Sequence, residues 1–367
     1  KSMTIHSEKF GGIDGRCVSV VLDDHDVTFG SAEKVQEAFK EIIEEYRPQC
    51  VFLVTTCVIE IIGDDFDAIS EGLSKLYGIP VLPVHTEHFK CEDHLPGLER
   101  TITVCAEMMK SCDCENSVNL LGQRMGDFAT TELYAMLQKA GVKIGLQLPC
   151  GCSVDDIKNA AAAKVNIVVN DIALPLAQKM QEKFGIPYVY FNKFVIPEKI
   201  YEAYKNLFVY LDLELPGELE GLYQNAREKI EKNKGELEGI TYIYGNTPYA
   251  VFEMNCFLSS LGMVPQVIQT NRYTEADEPY AKEILQYTDP YVCKAANIAP
   301  LQYVYDVLSP YLYLGHEFGN RLRQKGIAIV HSDRASGMLG FEVTGYLLQQ
   351  LVKSVREAKE YRKELCL

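Results

Sequence analysis

Residues Thr55-Thr56-Cys57-Val58-Ile59-Glu60-Ile61-Ile62-Gly63-Asp64-Asp65-Phe66 put a cysteine where an α/β protein is expected to do chemistry. The run Val51-Phe52-Leu53-Val54 before them reads as a buried strand, and Asp67 to Leu76 after them reads as a helix. Cys57 then stands at the carboxyl end of a strand, where open α/β sheets place ligands. A thiolate there can hold a soft metal or help to hold an iron–sulfur cluster; the plain alternative is one more buried thiol. Cys150-Gly151-Cys152 follows a strand and precedes a helix that begins near Ser153, a setting that lowers a thiol pKa. That pair reads as a redox pair or cluster contact, or as two thiols tucked into a βα turn. His85, His88, Cys91 and His94 share one polar loop, but His-x-x-His-x-x-Cys-x-x-His is not a zinc spacing, so Cys91 is a second-rank candidate.

The elements that must position these residues alternate β and α along the chain. Strands are expected at Cys17–Leu22, Cys50–Val54 and Pro80–Val84, with an amphipathic helix over Ser31–Tyr46 and another at about Leu98–Met109. A second set begins at Val118-Asn119-Leu120-Leu121-Gly122 and runs to Tyr188–Phe191; residues 198–235 look like a charged helical connector. A third begins at Ile240–Gly245 and closes with a long helix over Phe341–Lys363. Short Val/Ile/Leu runs between helices imply parallel sheets, so the expected fold class is α/β, with three doubly wound Rossmann-like domains at 1-115, 116-235 and 236-367. The net charge of -15 argues against a non-specific nucleic-acid binder and suits a soluble electron-transfer partner. No apolar run reaches the about 18 residues that span a bilayer. The 12 cysteines are scattered without a CxxC pair, which excludes zinc-ribbon and thioredoxin readings and favours reduced, cytoplasmic thiols. No Gly-x-x-x-x-Gly-Lys-Ser/Thr loop exists, so the chain is not expected to hydrolyse ATP.

The Thr55–Phe66 string closely resembles the Thr-Thr-Cys…Glu…Ile-Gly-Asp-Asp segment of the nitrogenase component 1 family. Phe29-Gly30-Ser31-Ala32-Glu33-Lys34 is similar to that family's Phe-Gly-Gly-x-x-Lys turn, with Ser31 and Ala32 as departures. Gly315-His316-Glu317-Phe318-Gly319-Asn320 resembles its Gly-x-x-x-Gly-x loop, and Gly337-Met338-Leu339-Gly340-Phe341-Glu342 looks closest to the β-type subunit. The resemblance implies the following. Cys57 holds an electron-relay Fe–S cluster, P-cluster-like or [4Fe–4S], shared with a partner chain. The family's other ligands lie upstream of the position matching Lys1, and the polar start Lys1-Ser2-Met3-Thr4 is expected to follow a missing segment. Cys17 matches a small residue packed near that cluster. Gly63-Asp64-Asp65 is either a helix start or part of the surface where a reductase docks. No cysteine ends the strand Val165–Val169; Asn170-Asp171 stand where α-type subunits hold their catalytic cofactor. His331-Ser332 resembles the second anchor of that cofactor, so His331 is a candidate ligand or the lining of a tetrapyrrole or small-substrate pocket. The expected function is thus a β-type, electron-relay subunit of a nitrogenase-like reductase. Its expected partners are an α-type subunit or a second copy of itself, and an ATP-dependent [4Fe–4S] reductase homodimer. The alternatives are a cofactor-assembly scaffold subunit, or a cluster-free binding or sensor protein on the same fold.

Overall fold

The computed structural model describes residues 2–4, 17–91, 95–192, 194–245, 247, 249–294 and 298–366. Within it the chain forms two compact units: Lys1–Asp113 with Gly151–Ala162 and Ile172–Gly185, and Cys114–Cys150 with Ala163–Asp171 and Ile186–Leu367.

The first unit holds an antiparallel pair, β1 (Ser2–Thr4) and β2 (Val18–Val20), and a parallel pair, β3 (Val51–Val54) and β4 (Val81–Val84). The helix Ala32–Tyr46 buries Val35, Ala38 and Phe39, spaced to share one face. The helix Phe66–Tyr77 buries Phe66, Ser70 and Leu73 in the same manner. These faces meet Ile59 and Val81 in one apolar core.

In the second unit β5 (Ser117–Gln123), β6 (Lys143–Pro149), β7 (Val165–Val168) and β8 (Tyr188–Tyr190) make an all-parallel sheet in the order β6-β5-β7-β8. A second parallel sheet, β11-β10-β9-β12-β13, is built from β9 (Thr241–Tyr244), β10 (Val264–Gln269), β11 (Tyr291–Cys293), β12 (Leu312–Leu314) and β13 (Ala328–Val330). Every residue of β5 and β7 is buried, as expected for central strands covered on both faces. The charged connector over 198–235 is two helices, Pro197–Leu211 and Leu219–Leu237, and the closing helix is Glu342–Glu364. Among the described residues no helix is long and apolar enough to cross a membrane.

Candidate functional site

The carboxyl ends of β3 and β4 carry a polar network beside Cys57. Cys57 is half-buried and is the first residue of a six-residue helix, Cys57–Ile62, which follows β3 after only Thr55 and Thr56. Thr56 is its N-cap but makes no capping bond with its side chain. The helix start is fixed from elsewhere. Thr55 is buried, and its hydroxyl donates to Glu60 Oε1 while accepting from Thr86 N at 3.0 Å. Thr86 Oγ1 donates to Thr55 O at 3.2 Å, and Glu87 N donates to Glu60 Oε1 at 2.7 Å. Burial pushes the Glu60 carboxyl up, but the hydrogen bonds from Thr55, Glu87 and Thr86 outweigh it and hold the group below its ordinary value. Arg100 clamps the same turn, donating from Nη1 to His85 O (2.9 Å) and Thr86 O (2.7 Å) and from Nη2 to Glu87 Oε2 (2.6 Å). Beside this network a cleft of about 210 Å³ is lined by Thr55, Glu60, Asp64, His85, Glu87 and Lys90, among others.

Gly63-Asp64-Asp65 serves three helices at once. Gly63 ends Cys57–Ile62 in the left-handed conformation (φ +85°), which glycine adopts without strain. Asp65 caps the following helix, accepting from Ala68 N at 2.9 Å. Asp64 reaches 33 residues back: its Oδ2 accepts Ser31 N (2.7 Å) and the Ser31 hydroxyl, supplying the cap that Ser31 does not make for Ala32–Tyr46. Gly30, at φ +102°, leaves room for this; a Cβ there would meet Asp64 Oδ1 at 3.0 Å. The two motifs are therefore one joint. Replacing Asp64 by alanine removes two charge-assisted bonds and should lower stability by about 1–3 kcal/mol, read as a lower urea midpoint at unchanged slope.

The surface beside Cys57 is apolar with an acidic border. Val58 (51% exposed) and Ile61 (73%) project from its helix, and Phe29 (76%) from the helix Asp24–Phe29 packed against it. Asp23, Asp24, Asp65 and Asp67 lie on the flanking helices and caps. Single exposed apolar residues are ordinary; several grouped beside a thiol mark a surface that a partner can cover.

Among the described residues none of the other predicted ligands forms a metal-binding trio with Cys57. Cys17 is exposed, just ahead of β2. Cys91 is half-buried with its thiol 3.8 Å from Thr86 O, and His85 Nε2 is bonded to Asp67 at 3.2 Å. The side chain of His88 and the whole of His94 lie outside the described residues. Cys150 is exposed in the second unit, 3.8 Å from Arg124 O. Cys152 belongs to the first unit, where burial, then the nearby thiols of Cys152 and Cys50, push the Cys105 thiol up to about 12. Such a thiol stays protonated at neutral pH and is a poor nucleophile. His331 is exposed directly after β13, with its carbonyl 3.5 Å from the Tyr346 hydroxyl. Asn170 is half-buried beyond β7, its backbone against Gly122. The one trio of His and acid groups whose ligand atoms converge among the described residues is Asp23, His25 and Asp26. Its carboxylates are spent on a capping box: Asp23 Oδ1 accepts His25 N and Asp26 N, and Asp26 Oδ2 accepts Asp23 N. Among the described residues no metal-binding trio of His, Cys, Asp or Glu groups includes Cys57, which therefore offers one thiolate toward an iron–sulfur cluster that usually takes four.

Sequence reasoning missed Thr86 and Arg100. Glu60 was visible three residues after Cys57, one helical turn away, but its partners Thr86 and Glu87 are 26 and 27 residues distant and left no local pattern.

The profile described as "Nitrogenase component 1 type Oxidoreductase" matches residues 2–356. The chain belongs to that family. Among component 1 relatives, the nitrogenase iron-molybdenum cofactor biosynthesis protein NifE of Rippkaea orientalis is 26% identical over 278 residues, covering 72% of this chain and 58% of that protein. NifE of Clostridium pasteurianum is 32% identical over 176 residues, covering 47% and 38%. The nitrogenase molybdenum-iron protein alpha chain of Methanosarcina barkeri is 25% identical over 260 residues, covering 67% and 48%. The match thus spans well under two thirds of each of these relatives. A solved component 1 structure, "Nitrogenase Cp1 at pH 6.5", superposes with a TM-score of 0.77 at 14% identity, covering 92% of this chain and 82% of that one; at such identity it speaks for the fold.

Proposed function

We propose that this chain is a scaffold-type subunit of a component 1 pair, on which a metal cofactor is matured, rather than the β-type relay subunit expected from Gly337–Glu342. The observation that carries this is the similarity to NifE, a cofactor biosynthesis protein, over 72% of the chain. It is supported by Asn170, an amide where a catalytic subunit of the family is expected to present a thiolate. The chain works in the cytoplasm, with an α-type subunit or a second copy of itself, and is divided at 1-115, 116-235 and 236-367. Cys57 lends one thiolate to an Fe–S cluster, P-cluster-like or [4Fe–4S], that is shared with the partner chain. When bound, that cluster supplies one-electron chemistry. The protein's own part is to present a half-buried thiol at a helix start, on an apolar surface that excludes water once a partner covers it. The relay alternative draws on the same surface, where an ATP-dependent [4Fe–4S] reductase would dock.

The test is iron analysis and EPR of the full complex, purified anaerobically, with and without Cys57→Ala. The expected result is loss or alteration of one cluster signal in the variant. An unchanged spectrum refutes the assignment of Cys57, and absence of any Fe–S signal in the wild-type complex refutes both scaffold and relay.

A further inference from the structure

We infer that Glu60 is the positioning residue for Cys57, holding the thiol in place through a ring of hydrogen bonds between the turns after β3 and β4. The inference rests on the proposed role of Cys57 and deepens it. Three observations carry it. The helix that begins at Cys57 has no side-chain cap of its own at Thr56. Its six residues are too few to be stable alone, so its start must be held by other parts of the protein. The carboxylate one turn into that helix supplies the hold: Glu60 Oε1 accepts from the Thr55 hydroxyl and from Glu87 N (2.7 Å), with Thr86 Oγ1 at 3.4 Å. Thr55 is 3% exposed, so the bonds on its side of the ring are sheltered from water. Arg100 fixes the far side through His85 O, Thr86 O and Glu87. Glu60 therefore ties the backbone on either side of Cys57 to a turn that is itself clamped. Its second oxygen, Oε2, is buried and takes no hydrogen bond among the described residues, so the fold bears a cost at this position that a helix-surface glutamate would avoid.

The probe is the rate at which Cys57 is alkylated by iodoacetamide in the reduced, iron-free full chain, followed site by site by mass spectrometry. Cys105, 2% exposed, reports global unfolding, and exposed Cys112 reports reagent activity. Glu60→Ala should raise the Cys57 rate about tenfold while Cys105 stays protected. Glu60→Gln keeps the Oε1 acceptor and should return the rate to within about twofold of wild type. A merely structural contribution would move Cys57 and Cys105 together and would not be rescued by glutamine. If Glu60→Ala does not accumulate as folded protein, Thr86→Val breaks one arm of the ring and should raise the Cys57 rate about threefold. An unchanged Cys57 rate in whichever of these variants folds overturns the inference. Because alkylation is read without iron, that result stays separate from the EPR test of Cys57→Ala: either can fail alone.

Discussion

Gly340→Ala is expected to cost about 3–5 kcal/mol and to leave little folded protein at 37 °C. Gly340 sits at φ +120°, where a side chain is strained whatever the space. Space is lacking as well: an added Cβ would lie 2.8 Å from Glu132 Cδ and 2.8 Å from the Tyr204 hydroxyl. Neither neighbour can retreat. Tyr204 is fully buried, edge-on to Phe191 and stacked on Phe341, and its hydroxyl donates to Glu132 Oε1 at 3.0 Å. Glu132 in turn accepts Phe341 N at 3.0 Å. The reverse arm closes the latch: Glu342 Oε1 accepts Glu132 N at 3.1 Å and Leu339 N at 3.2 Å. Two glutamates some 210 residues apart in sequence thus each accept from the backbone beside the other, joining the start of the helix Glu132–Lys139 to the start of the closing helix. Denaturant unfolding followed by far-UV circular dichroism measures the loss. Gly217→Ala is the control: nothing lies within 4 Å of its Cβ, and its midpoint should stay put. Equal midpoints for the two variants would show that the latch tolerates a side chain at 340.

That latch gives Leu339-Gly340-Phe341-Glu342 a physical reason separate from subunit type. Read as sequence, the segment pointed to a β-type subunit; in the fold its glycine makes room and its glutamate accepts two amides. A motif set by packing speaks for the architecture, so it pointed to the family and carries no weight on the subunit type. The same holds for Gly63-Asp64-Asp65. Its reading as a helix start was right for Asp65, but Asp64 bonds Ser31, the N-cap residue 33 positions earlier, a pairing that no local pattern announces.

Strand positions were legible because parallel strands are short apolar runs between helical periods; β3 and β4 fall within one residue of their expected bounds, although Phe52 and Val54 of β3 are exposed. The elements that escaped are those whose residues bury little. β11 is a three-residue edge strand with Tyr291 74% and Val292 54% exposed, so it has no inward face to read. The helices Asp24–Phe29 and Gly319–Arg323 span barely one turn, too short for a period to show. Cys57 itself was legible from its place after a strand. The ring that holds it was not, since Thr86, Glu87 and Arg100 come from a turn and a helix beyond the next strand.

Glu132 should make the protein less stable as pH rises, the reverse of most carboxylates. Burial pushes its carboxyl up, and the neighbouring Glu342 adds to this, while hydrogen bonds from Phe341 N and the Tyr204 hydroxyl pull it partly back; the net direction is upward from 4.5. The native state therefore binds a proton on Glu132 more tightly than the unfolded chain does. Between the ordinary carboxyl value and the raised one, the folded protein carries more protons, so the stability due to this group is complete below pH 4.5 and is lost as pH climbs through the raised titration. Glu132→Gln keeps an acceptor for Phe341 N and Tyr204 but cannot titrate. Its stability should be close to wild type at low pH and exceed it near neutrality, flattening this part of the pH profile. Glu132→Ala also removes the charge, but it strands the buried Tyr204 hydroxyl and the Phe341 amide, at a cost of about 2–4 kcal/mol at every pH. Unfolding midpoints taken from pH 4.5 to 8 for wild type, Glu132→Gln and Glu132→Ala separate the two effects. The contrast between glutamine and alanine reads the acceptor, and the difference in slope between glutamine and wild type reads the proton. A glutamine variant whose profile runs parallel to wild type would mean that Glu132 titrates alike in the folded and unfolded chains, and that the latch holds through geometry alone.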